Sequence, residues 1–282
     1  MTSLLCIGNI TVDESVHPDG RRVVAAGGDA VFAALAARQI IADVRCCAPV
    51  GDDLPAPVLD ELRRAGLPVD KLPRRPLPTV RNVVTYHADG SRTWDLVTGA
   101  GHFDAMSVYP ADLSDADLDV SGVLVSAMSV ASMRALVPWL AGKTRYLDLQ
   151  EDFLDRTLLD LVAASEVFLP SEFEAVTLAG TTDLAAAARF FAGLGPAVVV
   201  VKRAERGCLV LAGGVLTEVP AEVVTPVDST GAGDAFCGAF AAAHLTTHDA
   251  VEAARRASAV ARIAVSGYGT RGLLDAVGAA RP

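Results

Sequence analysis

A glycine-rich turn that ends in an aspartate, Gly231-Ala-Gly-Asp234, stands directly before an apolar, alanine-rich segment. That segment predicts a helix over residues 233–245, so the turn forms the helix start. Backbone N–H groups there, free of bulky side chains, can surround an anion at the positive end of the helix dipole. Asp234 would lie beside that anion, where a carboxylate can take a proton from a hydroxyl that attacks a phosphoryl group. A carboxylate in a first helical turn is also favourable without any chemistry, and the spacing leaves both interpretations open.

The elements that must position this turn follow a simple pattern. Short β-branched runs alternate with longer segments rich in alanine and leucine, which is typical of a parallel sheet with crossover helices. The sequence therefore predicts a doubly wound α/β fold with a mostly parallel sheet. The predicted strands are residues 4–8, 44–49, 122–126, 145–149, 166–169 and 197–201, with a hairpin over 208–219. The predicted helices are residues 28–41, 55–65, 131–140, 154–164, 183–194, 233–245 and 249–265.

Two hairpins interrupt this alternation. Residues 80–86 and 92–97 flank Asp89-Gly90, and residues 10–16 and 21–25 flank Asp19-Gly20. Both dipeptides are strong signals for a tight turn between antiparallel strands. Because no helix separates their strands, we expect the two hairpins to form a small β-sheet outside the main one. We predict a single domain over residues 1–282, with a lid from about 10–26 and 71–98 that covers a cleft.

Composition and charge limit the partners. The chain has 282 residues and a net charge of −10, which disfavours nucleic acid or an anionic membrane as the main partner. No charge-free stretch reaches the ~18 residues that a membrane span requires. The amino terminus has no basic residue before Arg21 and therefore does not resemble a signal peptide. The 5 cysteines show no metal or redox spacing, so we expect free, mostly buried thiols and a cytoplasmic protein.

The segment Asp228-Ser-Thr-Gly-Ala-Gly-Asp234 closely resembles the C-terminal signature of the ribokinase-like carbohydrate kinases of the PfkB type. The resemblance extends over nearly the whole chain, because further motifs of that family match in the same order. These matching segments are residues 8–13, 27–28, 50–53, 78–79 with 89–93, 166–174 and 202–207. The resemblance implies a ribokinase-like fold and transfer of a phosphoryl group from ATP, with Mg²⁺, to a hydroxyl of a sugar, polyol or nucleoside.

By motif position, the resemblance makes Asp234 the catalytic base and assigns the N–H groups of Gly231, Ala232 and Gly233 to an anion hole. It also assigns substrate binding to Asp13, Gly27 and Gly28, nucleotide binding to Lys202, Gly207, Thr230 and Gly267, and Mg²⁺ organisation through water to Glu174. Asp228 and Thr230 match positions that help to hold K⁺ in many members. Pairing of two copies through the lid is a further expectation from the resemblance.

Several of these residues also have ordinary structural interpretations. Lys202 follows the strand predicted over residues 197–201, at the end where open α/β sheets bind ligands, and its ammonium could reach the ATP phosphates. It could equally extend into solvent. Asp13 could be a turn or capping residue, the Gly27-Gly28 pair could merely start a helix, and Glu174 could be a solvated helix charge.

Three positions depart from the family pattern. Phe32 replaces an asparagine that contacts sugar hydroxyls, Ser171 replaces an asparagine, and Ala204 replaces a glycine in the nucleotide turn. A phenylalanine in the pocket could stack on a nucleobase, which favours a flatter or more apolar acceptor than a simple sugar; alternatively Phe32 points into the core. These departures also raise a second hypothesis, a non-catalytic binding protein of the same fold that acts as a sensor or partner. The intact Asp234 argues against it.

Overall fold

The computed structural model describes residues 2–87, 92–150 and 154–279. A mostly parallel sheet lies at the centre, and its strands are short, as expected for segments buried on both faces. Its eight strands are β1 (Ser3–Ile7), β4 (Asp43–Cys47), β9 (Gly122–Val125), β10 (Thr144–Leu147), β11 (Val167–Phe168), β12 (Val198–Lys202), β13 (Cys208–Ala212) and β14 (Val215–Val219).

The strand order is β14-β13-β12-β11-β10-β9-β1-β4, and only β13 and β14 at one edge run antiparallel. Alternate side chains enter different cores: Leu4 and Cys6 of β1 pack on one face, and Leu5 and Ile7 pack on the other. This two-residue period follows from the pleat of a strand. Both faces are therefore covered, and the predicted doubly wound α/β fold is confirmed.

Helices form a layer on each face of the sheet. The first layer contains α1 (Asp29–Ala37), α2 (Ala56–Arg64), α9 (Ala232–Thr247), α10 (Ala250–Ala264) and α11 (Arg271–Ala279). The second contains α5 (Val130–Leu136), α6 (Leu159–Ala163), α7 (Glu172–Ala179) and α8 (Leu184–Ala192). Two short helices, α3 (Ala100–Ala105) and α4 (Asp115–Leu118), follow the lid. None of the helices in the described residues has both the length and the apolar composition needed to cross a bilayer.

The lid is a separate four-stranded sheet made from the two predicted hairpins, and this prediction is confirmed. Its strands are β2 (Thr11–Val16), β3 (Arg22–Gly27), β7 (Val80–Tyr86) and β8 (Arg92–Leu96), in the order β3-β2-β7-β8. Parallel pairing of β2 with β7 joins the hairpins. The turn at Asp89-Gly90 lies outside the described residues. The second lid segment was expected from about residue 71, but its first lid strand begins at Val80. The preceding strand β6 (Arg74–Arg75) instead pairs with β5 (Val50–Gly51) in a separate two-stranded sheet.

Four helices were not predicted from the sequence, namely the short α3 and α4 and the longer α7 and α11. The helix α7 starts with a reciprocal capping box between Ser171 and Glu174, the residue to which the family resemblance assigns Mg²⁺ organisation. The helix α11 begins at Arg271, only four residues after Gly267, in a part of the chain for which no helix was predicted. The five cysteines are all free and buried, in agreement with the sequence prediction.

Helices α1 and α9 pack unusually closely. A Cβ atom on Gly238 of α9 would overlap the backbone of Ala33, including its carbonyl oxygen. A glycine is therefore needed where the two helix backbones meet. This contact fixes the start of α9 relative to the start of α1.

We predict that Gly238→Ala lowers the free energy of unfolding by about 1–3 kcal/mol, because the methyl group forces the two helices apart. Urea unfolding followed by circular dichroism would measure the change. Gly101→Ala is the matched control: Gly101 lies in α3 with nothing within 4 Å of its would-be Cβ. Alanine there should stabilise the protein by up to about 1 kcal/mol. Equal unfolding midpoints for the two variants would contradict the close packing.

Candidate functional site

A cavity of about 390 Å³ opens at the carboxyl ends of the parallel strands, beneath the lid. This is the edge at which open α/β sheets bind ligands. Its lining comes from the segments after β1 and β10, from the start of α1, from the lid and from the turn before α9. The residues that contribute polar groups are Asn9, Thr11, Asp13, Asp29, Asn82, Asp148, Gln150, Ser229, Thr230 and Asp234.

The turn before α9 presents backbone donors to the cavity. Gly231 is the N-cap residue with φ of 72°, and α9 is 16 residues long. The N–H of Ala232 donates to the carbonyl oxygen of Ser229 at 3.3 Å. Within the described part of the chain, the N–H groups of Gly231 and Gly233 have no backbone acceptor. These two groups can therefore donate to an anion at the positive end of the helix.

Asp234 lies in the first turn of α9 and lines the same cavity. Burial, together with the nearby carboxylate of Asp148, raises the pKa of Asp234 to about 6, and the ammonium of Lys202 opposes the rise. Such a group is ionised at neutral pH and still basic enough to take a proton from a hydroxyl. The arrangement places a carboxyl group that could accept a proton at the same cavity as backbone donors that could bind an anion.

Lys202 does not extend into solvent. Its Nζ atom donates to Oδ1 of Asp148 at 2.6 Å and to Sγ of Cys237 at 3.2 Å. The side chains of Lys202 and Asp148 are only 14% and 5% exposed. The structure thus pairs the predicted nucleotide-binding lysine with an aspartate that borders the cavity.

On the lid side, Asp13 forms a polar cluster. Its Oδ1 atom accepts hydrogen bonds from Oγ1 of Thr11 at 2.7 Å and from Nδ2 of Asn82 at 2.9 Å. Burial raises the pKa of Asp13, although both hydrogen bonds oppose the rise. A Cβ on Gly27 would overlap the Asp13 carboxylate, so this glycine lets the lid strands pack around it. The two hydrogen bonds fix the orientation of the Asp13 carboxyl group, which borders the cavity at the base of the lid.

The Gly28-Asp29 segment starts α1. Gly28 has φ of 94°, and a Cβ there would overlap the backbone of Asn9. Oδ1 of Asp29 accepts the N–H groups of Asn9 and Ala30, each at 2.6 Å. Burial and then the charge of Asp234 raise the pKa of Asp29 well above its ordinary value. The segment that carries the predicted di-glycine motif therefore brings a further carboxyl group to the cavity, beside Asp13, Asp148 and Asp234.

Phe32 is only 2% exposed. It borders the cavity, and its ring packs directly against the backbone of Gly231, where any Cβ would overlap it. The ring therefore supports the glycine-rich turn from below. This position agrees with the core interpretation of Phe32 and leaves little of its face for stacking on a ligand.

A second loop supports the signature turn from the other side. Asp228 accepts the N–H of Thr230 through Oδ1 and the N–H of Gly269 through Oδ2, both at 2.9 Å. Burial would raise the pKa of Asp228, but these donors outweigh it and the pKa lies below its usual value. Asp228 thus joins the turn to the loop that contains Gly267.

The nucleotide turn after β12 contains a strained residue. Ala204, at the position of the expected glycine, has φ of 50°. An L-residue there costs roughly 1–2 kcal/mol. Gly207 has φ of 81°, and a Cβ there would overlap the carbonyl oxygen of Val219. The turn keeps the glycine that close packing requires and tolerates alanine at the other position.

Glu174 is buried at the start of α7. Its Oε2 atom accepts the N–H of Ser171 at 2.7 Å, and Oγ of Ser171 accepts the N–H of Glu174 at 3.2 Å. In the described ranges, no three His, Cys, Asp or Glu side chains are grouped so as to hold a metal ion. Mg²⁺ keeps several waters and is usually held by one or two carboxylates together with substrate phosphates. A single buried carboxylate fits that mode of binding.

The structure brings together most of the predicted residues. Those that line the cavity are Asp13, Gly28, Phe32, Thr230, Gly231, Ala232, Gly233 and Asp234. Those that do not line it are Gly27, Lys202, Gly207, Gly267, Glu174 and Asp228. Sequence reasoning missed Asn9, Asp29, Asn82 and Asp148. Asn9 and Asp148 follow closely after parallel strands, so their position in the chain could have revealed them; Asn82, inside a lid strand, carried no comparable signal.

We predict that Phe32→Ala lowers the free energy of unfolding by about 3–5 kcal/mol, because it removes a buried ring beneath Gly231. Phe173→Ala is the control, since Phe173 is 56% exposed. Its effect should stay within about 0.5 kcal/mol. Denaturant titration of both variants measures the difference, and a similarly small loss at Phe32 would contradict its supporting role.

Comparison with known proteins agrees with this geometry. Residues 1–276 match the pfkB family of carbohydrate kinases. The cytidine kinase of Thermococcus kodakarensis is 32% identical over 253 residues, which cover 86% of this chain and 89% of that protein. The deoxyribokinase of Salmonella typhi is 26% identical over 258 residues, covering 88% and 84%.

The fold is shared with a solved structure of Arabidopsis thaliana ribokinase complexed with ribose and ATP. The TM-score is 0.81 at 22% sequence identity, and the match covers 98% of this chain and 99% of that one. A family match over nearly the full length and a relative above 30% identity agree with each other. The chain therefore belongs to the pfkB family of carbohydrate kinases.

Proposed function

We propose that this protein phosphorylates a hydroxyl group of a nucleoside, with Asp234 as general base and the start of α9 as anion hole. Family membership makes it an ATP-dependent phosphotransferase with an alcohol acceptor. The observation that carries the proposal is the position of Asp234, a carboxyl group with a pKa of about 6, in the same helix start as the N–H groups of Gly231 and Gly233, for which the described residues offer no backbone acceptor.

The proposed reaction follows from this geometry. Asp234 takes the proton of the acceptor hydroxyl while the oxygen of that hydroxyl forms a bond to the γ-phosphorus of ATP. The bond from that phosphorus to the β,γ-bridging oxygen breaks, and ADP leaves. The N–H groups of Gly231 and Gly233, with the positive end of α9, stabilise the negative charge on the transferring group. The proton then passes from Asp234 to solvent.

The nucleotide would lie between the turn that contains Gly207 and the loop that contains Gly267, with Thr230 near its phosphates. Glu174 would hold Mg²⁺ through water, and the bound ion would neutralise charge on the ATP phosphates. Asp228 accepts the N–H groups of Thr230 and Gly269 and so joins the two loops that contain them. It would thereby hold in place the loop backbone that surrounds a K⁺ ion. These assignments rest on motif positions and on the burial described above.

The acceptor would bind between Asp13 and the lid. Asp13, oriented by Thr11 and Asn82, accepts hydrogen bonds from a pair of ribose hydroxyls. The same cavity is lined by the apolar side chains of Val80, Leu96, Phe103 and Leu149, which a free sugar would leave uncovered. A nucleobase would cover them, and the cytidine kinase relative supports a nucleoside acceptor.

The lid exposes the large apolar side chains Val23, Val24 and Leu96. Val23 and Val24 lie on β3 and Leu96 lies on β8, at opposite edges of the lid sheet, so they do not form one contiguous patch. Pairing of two copies through the lid stays a prediction. A cytoplasmic location stays a prediction.

We predict that Asp234→Asn lowers kcat by at least ~10²-fold, because the amide cannot accept the proton of the acceptor. Coupled ADP release with ATP, Mg²⁺ and K⁺ measures the loss, and the exposed Asp119→Asn is the control that keeps full activity. Near-normal turnover in the Asp234 variant would refute the assignment. ATP binding without ADP formation by the unmodified protein would support a binding-only protein instead.

We predict that nucleosides have a kcat/KM at least about tenfold above that of free ribose or deoxyribose, because the base covers apolar surface that a sugar leaves exposed. The same ADP assay, run over cytidine, adenosine, inosine, ribose and deoxyribose, gives the ratios. A preference for the free sugars would overturn the nucleoside assignment and leave the kinase assignment intact.

A further inference from the structure

The ion pair between Lys202 and Asp148 lies below the first turn of α9, between the sheet and the helix. Lys202 ends β12, and Asp148 directly follows β10. Their atoms approach to 2.6 Å, and both side chains are almost fully buried. Burying two charges costs free energy that their attraction only partly returns, so such a pair is weak evidence for stability by itself. The location of the ion pair beneath the first turn of α9 instead indicates a role in the candidate active site.

The lysine is held at an unfavourable place for a cation. Its Nζ atom lies 3.2 Å from Sγ of Cys237 and 3.7 Å from the position that a Cβ on Gly233 would take. Gly233 and Cys237 are one turn apart on α9, so the ammonium lies under the positive end of that helix. The helix dipole repels a cation there. The carboxylate of Asp148 is therefore what holds Lys202 in place.

The groups that act on Asp234 come from four elements. Asp29 lies at the start of α1, and its carboxyl group interacts with Asp234. Asp148 follows β10 and disfavours the ionised form of Asp234, whereas Lys202 at the end of β12 favours it. Cys237 on α9 itself is neutral because burial raises its pKa. Of the groups named here, Lys202 is the cation that acts on Asp234, whereas Asp29 and Asp148 are acidic.

We propose that Lys202 and Asp148 act as a positioning pair that sets the pH range in which Asp234 can accept the acceptor's proton. The ammonium of Lys202 stabilises the ionised form of Asp234. The carboxylate of Asp148 holds that ammonium in place and, by its own negative charge, destabilises the ionised form of Asp234. The inference deepens the proposed function, since it rests on Asp234 as the base. It differs from a simple phosphate contact by Lys202, which would affect ATP binding and not the protonation of Asp234.

The test uses Lys202→Met and Asp148→Asn. Lys202→Met leaves Asp148 as an uncompensated negative neighbour, so the midpoint of the acid limb of kcat/KM should rise by about one pH unit. Asp148→Asn leaves the ammonium unopposed, so the midpoint should fall by about one unit. Structural damage alone would not move the two midpoints in opposite directions. Lys71→Met, an exposed lysine outside the site, is the control with an unchanged midpoint.

A second readout needs no turnover. The ¹³C-carboxyl resonance of Asp234, titrated by NMR in the ligand-free protein, should show the same opposite shifts. This separates the two proposals: if the protein releases no ADP, the proposed function fails, while the titration still tests the pair. Lys202→Met could fail to fold because it leaves Asp148 unpaired. In that case Asp148→Asn and the double variant test the proposal. The double variant should show a titration midpoint of Asp234 near that of the unmodified protein.

Two results would overturn the proposal. One is a titration midpoint of Asp234 that is the same in every folded variant, or that moves in the same direction in both single variants. The other is a Lys202→Met enzyme whose KM for ATP rises several-fold while its pH profile stays unchanged, which would identify Lys202 as a nucleotide contact only.

Discussion

The close contact between α1 and α9 is the constraint on which the site depends. Gly238 allows the two helix backbones to meet, and Gly231 rests on the ring of Phe32 from the opposite helix. Because protein interiors are close-packed, a shift of one helix start must move the other. The glycine-rich turn of α9 and the carboxyl group of Asp29 at the start of α1 are therefore held as one unit, and the chemistry of phosphoryl transfer relies mainly on such positioning.

The same unit concentrates negative charge. Asp29 and Asp234 face one cavity, with Asp148 beside them, in a chain whose net charge is already −10. Buried carboxyl groups that face each other favour protonation, which would inactivate a general base. Lys202 and the N–H groups at the helix start offset this tendency. The N–H groups at the start of α9 are also the groups that the proposed function assigns to the transferring phosphoryl group.

The fold was largely predictable, because burial on both faces of a parallel sheet leaves a clear pattern of short β-branched runs and alanine-rich helices. Both lid hairpins carried Asp-Gly signals, and only the turn of the second lies outside the described residues. The helix α7 was missed because its capping residues, Ser171 and Glu174, also fit a metal motif. The role of Phe32 could not be decided from the sequence, because a phenylalanine is suited both to packing in a core and to stacking on a nucleobase.

The sequence by itself predicted the doubly wound fold, the glycine-rich turn at the start of α9 and the place of Asp234 in the first turn of that helix, because each depends on local chemistry: helix starts, turn residues and alternation. Tertiary structure alone decided which charges meet. The pairing of Lys202 with Asp148 joins residues 54 positions apart, and that of Asn82 with Asp13 joins residues 69 apart. Such contacts depend on strand order and on the placement of the lid, and no local pattern encodes them.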